Sequence, residues 1–204
     1  MASPLFEDKD FEEFVRRNDL RDWEPCYHPS SEEVIEKVLN FISPSDIVLD
    51  IGGGNLSFSL RIAQKAKRVF SLEVNPLLVS QGLREIGFKI PRNLHVICAN
   101  ALDFPFPQGI SVAVLIMRHC QHFSFYFSEL EKIRCRFLIT NSRLKTDVER
   151  IDLQAPRVPF SRFPGGWYAC RCGGVGFKEG GNPDQFEPVE VNDCPHCSNV
   201  KERT

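Results

Sequence analysis

Three groups of residues in this chain of 204 residues carry chemistry by type and spacing. The first is Cys170-x-Cys172 with Cys194-x2-Cys197, two thiol pairs 21 residues apart. Thiolates suit zinc, and four of them close its tetrahedron, leaving no position for a catalytic water. The adjoining glycines and the Pro195-His196 turn give the tight backbone of a knuckle, with His196 exposed rather than coordinating. A disulfide pair or a redox dithiol is the alternative use of the same residues. The second group is Asp50, the run Gly52, Gly53 and Gly54, and then Glu73, 21 residues after Gly52. Glycines at a strand-to-helix turn allow positive φ and let a ligand approach the main chain. An acid at the end of the next strand can accept both hydroxyls of a ribose. The third group is MRHCQHF, residues 117–123. Arg118 can hold an anion, and His119 or His122 can serve as a base because imidazole titrates near neutral pH. Either histidine can equally be a hydrogen-bonded structural group. Cys120 has no neighbour that clearly lowers its pKa, so it reads as a buried thiol.

These residues need elements to position them, and the pattern supplies an alternation. The apolar runs IVLDI (47–51), RVFSLEV (68–74), LHVICAN (94–100), SVAVLIM (111–117) and RFLITNS (136–142) read as buried strands. Helices are expected over 56–66, 76–86 and 124–133, and another begins after Ser31, where Glu32 and Glu33 suit the positive end of the helix dipole. Strand, helix, strand at this interval predicts an α/β fold, a doubly wound, mostly parallel sheet with right-handed crossovers. Residues 1–22 are charged and weakly periodic, an N-terminal extension with one helix near residues 10–17. Residues 23–150 form the doubly wound domain. Beyond about residue 150, proline, glycine and aromatic residues replace the alternation, and residues 151–204 are expected to form a small unit stapled by the cysteines.

Composition narrows the class further. The chain is 42% hydrophobic and 25% charged, with no apolar run near the length that crosses a bilayer, so a cytoplasmic protein without a membrane partner is expected. A net charge of -2 argues against a surface built throughout for nucleic acid. Residues 132–162 nevertheless hold eight basic against three acidic side chains, either a solvated segment or an anion-facing patch. In residues 151–204 six basic side chains face seven acidic ones, so charge there does not favour nucleic acid.

The order Asp50-x-Gly52-x-Gly54, with the acid before the loop, resembles the class I S-adenosylmethionine-dependent methyltransferases. A dinucleotide fingerprint would need a third glycine where Ser57 stands, so a nicotinamide oxidoreductase rests on the glycine loop alone. The resemblance implies that Asp50 and the glycines hold the amino acid part of the cofactor, while Glu73, beside Val74, holds the ribose. Asn100 in ICANALDF matches the place of the adenine contact, and Ala101 would lie near the ring. YHPSSEEVIEKVL resembles the segment leading into the cofactor site, which places Tyr27 there. Asn55 stands where the family commonly has a further glycine, and the methionine part of the cofactor is its expected partner.

The resemblance also assigns the acceptor side to the end of the fourth strand, hence Arg118, His119 and His122. Members that methylate the exocyclic amine of adenine carry Asn or Asp, two prolines and an aromatic there; MRHCQHF does not resemble this, which disfavours that acceptor. Asn141, Arg143, Arg157 and Arg162 are expected to bring positive charge to the substrate side. The cysteine pairs resemble a zinc ribbon, with one intervening residue in the first pair where two are usual. GGWYACRC and FEPVEV are expected to complete the family's sheet as its antiparallel strands, with the zinc unit joined to the main domain at Trp167 and Tyr168. The expected function is a methyltransferase using S-adenosylmethionine and structural Zn2+, its acceptor RNA, a protein or an anionic small molecule. The alternative is a cofactor-binding zinc adaptor or sensor without catalysis.

Overall fold

The computed structural model describes residue 16 and residues 29–118, 120–144 and 147–197. The expected helix at 10–17 and the segment containing Tyr27 lie outside the described residues apart from Arg16 and residues 29 onward, and His119 lies outside them too.

Helix α1 (Glu32–Asn40) starts where Ser31 accepts the Val34 amide at 3.4 Å, with Glu32 and Glu33 in its first turn. Then come β1 (Ile47–Ile51), α2 (Ser57–Ala63), β2 (Arg68–Glu73), α3 (Pro76–Ile86), β3 (Leu94–Cys98), β4 (Val112–Leu115), α4 (Phe123–Lys132), β5 (Phe137–Thr140) and β6 (Glu149–Asp152). They make a sheet in the order β3-β2-β1-β4-β5-β6, parallel except for β6, which runs antiparallel to β5.

Strand alternation divides the core into two layers. Leu49, Ile51, Ala113, Leu115 and Leu138 face Phe127 and Leu130 of α4, while Val48, Val112, Val114 and Ile139 face Val38 of α1 and Ile62 of α2. Apolar side chains on both faces are what a parallel sheet covered by helices requires.

The remaining strands, β7 (Gly166–Cys170), β8 (Val175–Lys178) and β9 (Val189–Val191), form a separate sheet in the order β8-β7-β9. The expectation that GGWYACRC and FEPVEV complete the main sheet is therefore corrected: the antiparallel edge is ERID, residues 149–152. A short return after β5 allows antiparallel pairing without a crossover. As an edge strand it buries only Ile151 and keeps three charged residues, which hid it from an apolar-run reading.

The joint between the sheets also differs from expectation. Tyr168 is buried within the small unit, its ring 5.0 Å from that of Phe160, and Trp167 packs edge-on to Phe177 and Phe186 of the same unit. Tyr168 and Cys170 share one face of β7, so the neighbour nearest the cysteines is the unit's own core.

Candidate functional site

The chain runs from β1 to β2 on one side of the sheet and returns to β4 on the other, so the strand order reverses at β1. Ligands of open α/β sheets bind outside the carboxyl ends of the strands at this place. The residues gathered there are Asp50, Gly52, Gly53, Gly54 and Asn55 after β1, Glu73 and Val74 after β2, Asn100 and Ala101 after β3, and Arg118 and His122 after β4.

Asp50 lies beneath α2, 3% exposed, and accepts a hydrogen bond from Ser59 Oγ at 2.5 Å. Ser59 Oγ is also 2.7 Å from Ser71 Oγ of β2. Burial pushes the Asp50 carboxyl up to about 6; the Ser59 hydrogen bond opposes the rise and the charge of Glu73 adds to it. Both serines lay beyond the sequence reading, although each is a polar residue inside an otherwise apolar run, which is the signal for them.

Glu73 is a clasp. One carboxylate oxygen accepts the Gly54 amide and the other the Asn75 amide, each at 2.8 Å, which ties the glycine turn to the start of α3. Burial raises its pKa while these amide bonds hold it down. The Val74 amide bonds the carboxylate as well, so of its roughly four acceptor sites one is left for a hydroxyl donor. Asn75 caps α3 by accepting the Leu77 amide at 3.0 Å, and its buried Nδ2 has no hydrogen-bond partner among the described residues. A buried donor without an acceptor costs about 1–3 kcal/mol, which an oxygen-bearing ligand beside Glu73 would offset.

The glycines serve the protein's own packing. A Cβ on Gly53 would stand 2.0 Å from Ser71 Oγ, and one on Gly52, at φ 83°, would stand 2.7 Å from Cε of Met117. The amides of Gly52 and Gly53 both donate to the Leu72 carbonyl, at 2.8 and 3.1 Å. Asn55 Oδ1 accepts the Ser57 amide at 3.2 Å, entering α2, and Gly82 of α3 lies so near the Asn55 carbonyl that a Cβ would come within 2.3 Å. Asn100 Oδ1 accepts the Leu102 amide at 3.0 Å, an Asx turn that leads past buried Ala101.

After β4, Arg118 is exposed, and half-buried His122 meets Tyr126 edge-on at 6.3 Å as α4 begins. The basic residues expected beside them are placed otherwise. The Arg143 guanidinium, 1% exposed, binds both oxygens of Glu149 and both of Glu190 at 2.6–3.1 Å. Arg157 is held by Glu131 at 3.2 Å and lies 4.8 Å over the Phe127 ring. The expectation that Arg143 and Arg157 offer charge to a substrate is corrected: both are neutralised inside the joint between the two sheets. Arg162 is exposed, and Asn141 is buried with Oδ1 lacking a hydrogen-bond partner among the described residues.

The Sγ atoms of Cys170, Cys172, Cys194 and Cys197 all lie within 4.8 Å of one another. Three of the separations are 3.6, 3.5 and 3.9 Å, too long for disulfides. Tetrahedral Zn–S bonds of about 2.3 Å imply sulfurs about 3.8 Å apart, so the four fit such an ion. The Gly174 amide donates to Cys172 Sγ at 3.4 Å and the Cys194 amide to Cys197 Sγ at 3.3 Å, bonds that favour thiolate. The Cys172 thiol is pushed down to about 5 by hydrogen bonding from Cys170, whereas burial pushes Cys194 up to about 12. Without a cation the quartet stabilises one thiolate at the expense of its neighbours.

The strand order and switch-point geometry define a class I methyltransferase-type fold, and similarity to known proteins agrees. A dimethyladenosine transferase from Plasmodium falciparum superposes with a TM-score of 0.50 at 20% identity, over 56% of this chain and 42% of its own. No protein-family model matches the chain. In sequence, 67 residues are 37% identical to a probable ribosomal RNA small subunit methyltransferase A of Methanosarcina mazei, which is 33% of this chain and 24% of that protein. A dimethyladenosine transferase of Chaetomium thermophilum is 26% identical over 76 residues, 37% of this chain and 19% of the relative. The match thus spans about a quarter of the relatives' length or less. No helix among the described residues is long and apolar enough to cross a membrane.

Proposed function

We propose that the chain is an S-adenosylmethionine-dependent methyltransferase acting on RNA, with a structural zinc ion in its C-terminal unit. The observation that carries this reading is the buried Glu73 clasp at the switch point, with its remaining acceptor site and, beside it, an Asn75 Nδ2 that has no hydrogen-bond partner among the described residues. Bound there, the cofactor supplies an electrophilic methyl group on a sulfonium. Glu73 accepts a ribose hydroxyl, Asp50 favours a nearby ammonium from beneath the turn, and Asn100 and Ala101 border the adenine. Asn55 lies beside the methionine part. Positioning supplies most of such a reaction's acceleration, because methyl transfer needs an in-line nucleophile about 3 Å away and little covalent help. On the acceptor side Arg118 faces an RNA phosphate and His122, or His119, takes the proton of the nucleophile.

RNA as acceptor is supported by the names of the sequence relatives, which are ribosomal RNA methyltransferases. Two of the similar proteins are named dimethyladenosine transferases, which favours adenine, whereas residues 117–123 lack the Asn-Pro-Pro-aromatic arrangement of adenine-amine methylation, which disfavours it. Zinc is supported by the fit of the four sulfurs; it would close the unit and take no part in the reaction. The sheet domain and the unit are proposed as structural divisions meeting after β6, since Ile151 and the following Leu153 pack in the sheet's core.

Transfer of labelled methyl from S-adenosylmethionine to RNA and protein fractions of a cell extract tests the reading. Label is expected in RNA, at least 100-fold less with Glu73→Ala. Cofactor binding without label in any fraction would identify the adaptor instead, and label in protein alone would overturn the RNA acceptor.

A further inference from the structure

Residues 117–123 form the acceptor loop of the proposed site, and its described residues 117, 118 and 120–122 belong to no helix or strand. Arg118 and Gln121 are exposed, the Cys120 amide donates to the Met117 carbonyl at 3.1 Å, and Met117 and Cys120 pack against the main core. Further contacts reach the segment at its two ends.

At the far end stands Phe123, 3% exposed, which opens α4. Its ring is covered by the first cysteine knuckle. Gly173, directly after Cys172, has φ 91°, and a Cβ there would lie 3.0 Å from Phe123 Cδ1 and 3.5 Å from its Cβ. Bare backbone rests on the aromatic ring. Behind it, Gly174 is packed as closely on Cys194 and His196 of the second knuckle, 3.2 Å from a built Cβ. Phe123 is therefore backed by the Gly173-Gly174 backbone, which in turn packs on the second knuckle.

At the near end the Met117 carbonyl accepts Ser142 Oγ at 2.7 Å. Ser142 is followed by Arg143, whose buried guanidinium is shared between Glu149 of β6 and Glu190 of β9. Glu190 lies between Val189 and buried Val191, four residues before Cys194. Closing the cysteine cluster fixes β9, β9 fixes Glu190, and Glu190 fixes the residue beside Ser142. By contrast the contacts of the cofactor side, Asp50 to Ser59 and Glu73 to Gly54, lie wholly within the main sheet domain.

We infer that the four-cysteine unit is the brace of the acceptor loop, with Gly173 and Glu190 as positioning residues for residues 117–123. This rests on the proposed reading of that loop as the acceptor side. It makes the unit part of the site rather than an appended module, and it predicts that loop order and cofactor binding respond separately when the unit is loosened.

Hydrogen exchange by mass spectrometry on the full chain tests this, read at residues 117–123 and 47–56, with calorimetry of S-adenosylhomocysteine alongside. Removing zinc with a chelator, Glu190→Ala and Gly173→Ala are each expected to raise exchange in 117–123 at least tenfold. Exchange in 47–56 and the dissociation constant for S-adenosylhomocysteine should stay within threefold. Unchanged exchange in 117–123 for the two variants overturns the brace, as does an equal rise in both segments. Should chelation unfold the whole chain, the two variants, which keep all four cysteines, decide alone. Failure of the intact protein to bind S-adenosylhomocysteine overturns the functional reading, while the exchange data still decide the brace.

Discussion

The parallel sheet and the four-cysteine unit each hold functional groups in place, with very different means. The sheet buries two apolar layers, including Leu49, Ile51, Leu115, Phe127 and Leu130 on one face and Val48, Val69, Val114 and Ile139 on the other. The small unit buries Phe163, Tyr168 and Val191 together with Cys170 and Cys194, so two of its five core residues are themselves candidate ligands. A fully buried large apolar side chain contributes about 1.5–3 kcal/mol, against roughly 1.5 kcal/mol to order each residue, so three such side chains cannot hold a segment of this length. The sheet needs its pattern of side chains; the unit needs a cross-link, and a metal ion is the one its four cysteines fit.

Metal removal separates the two regions most sharply. Structural zinc of this kind binds with about 10–16 kcal/mol. Elemental analysis should find one zinc per chain, and chelation should release the Trp167 ring from Phe177 and Phe186, seen as a shift in tryptophan fluorescence, while far-ultraviolet circular dichroism keeps its helical signal. A folded, spectroscopically unchanged unit after verified metal loss would remove the distinction.

The next largest effect lies at the joint. Arg143→Ala strands Glu149 and Glu190 in a half-buried place, and breaking such a pair costs about 3–5 kcal/mol. Denaturant unfolding should show that loss. A change below about 1 kcal/mol would mean the network is screened by water, as exposed pairs are.

A third effect belongs to the sheet region alone. Asp50 titrates at about 6 in the folded chain against 3.8 unfolded, so the folded state holds this proton more tightly. Its contribution is whole below about pH 4 and is lost as pH rises through 6, a loss of about 3 kcal/mol at pH 7. Stability of the ligand-free protein measured from pH 4 to 7 should fall accordingly, and Asp50→Asn should flatten the curve. A curve of the same slope in the variant would assign the titration elsewhere.

The smallest effect tests the glycine turn. Gly53→Ala should cost about 1–3 kcal/mol by overpacking against Ser71 Oγ. Ser71→Ala, which leaves the nearest Ser71 atom 3.4 Å from the new methyl, should restore part of that loss in the double variant. No restoration would place the strain at Ser59 Oγ, 3.3 Å from the new methyl, rather than at Ser71.

The regions also differed in how plainly the sequence announced them. A buried parallel strand is a run of apolar residues, so IVLDI was legible as β1, and proline after asparagine marked the start of α3 at Pro76. The acids and glycines stood at strand ends, where polarity of the fold gathers them without any further information. The edge strand β6 was not legible, because Glu149, Arg150 and Asp152 carry no apolar run, and its single buried residue is Ile151. Nor could the chain reveal that Arg143 meets Glu190, 47 residues away, since an isolated arginine near a strand end reads the same whether it faces a phosphate or a buried carboxylate. Gly173 looked like knuckle backbone; only its place against Phe123 makes it part of the acceptor side.

The central claim is that the clasp at Glu73 serves a methyl donor used on RNA. Incubating the full chain with S-adenosylmethionine labelled in its methyl group and with total RNA from a cell extract measures this directly. The account predicts label in RNA that falls at least 100-fold with Glu73→Ala; label that is absent, or that survives the substitution, would contradict it.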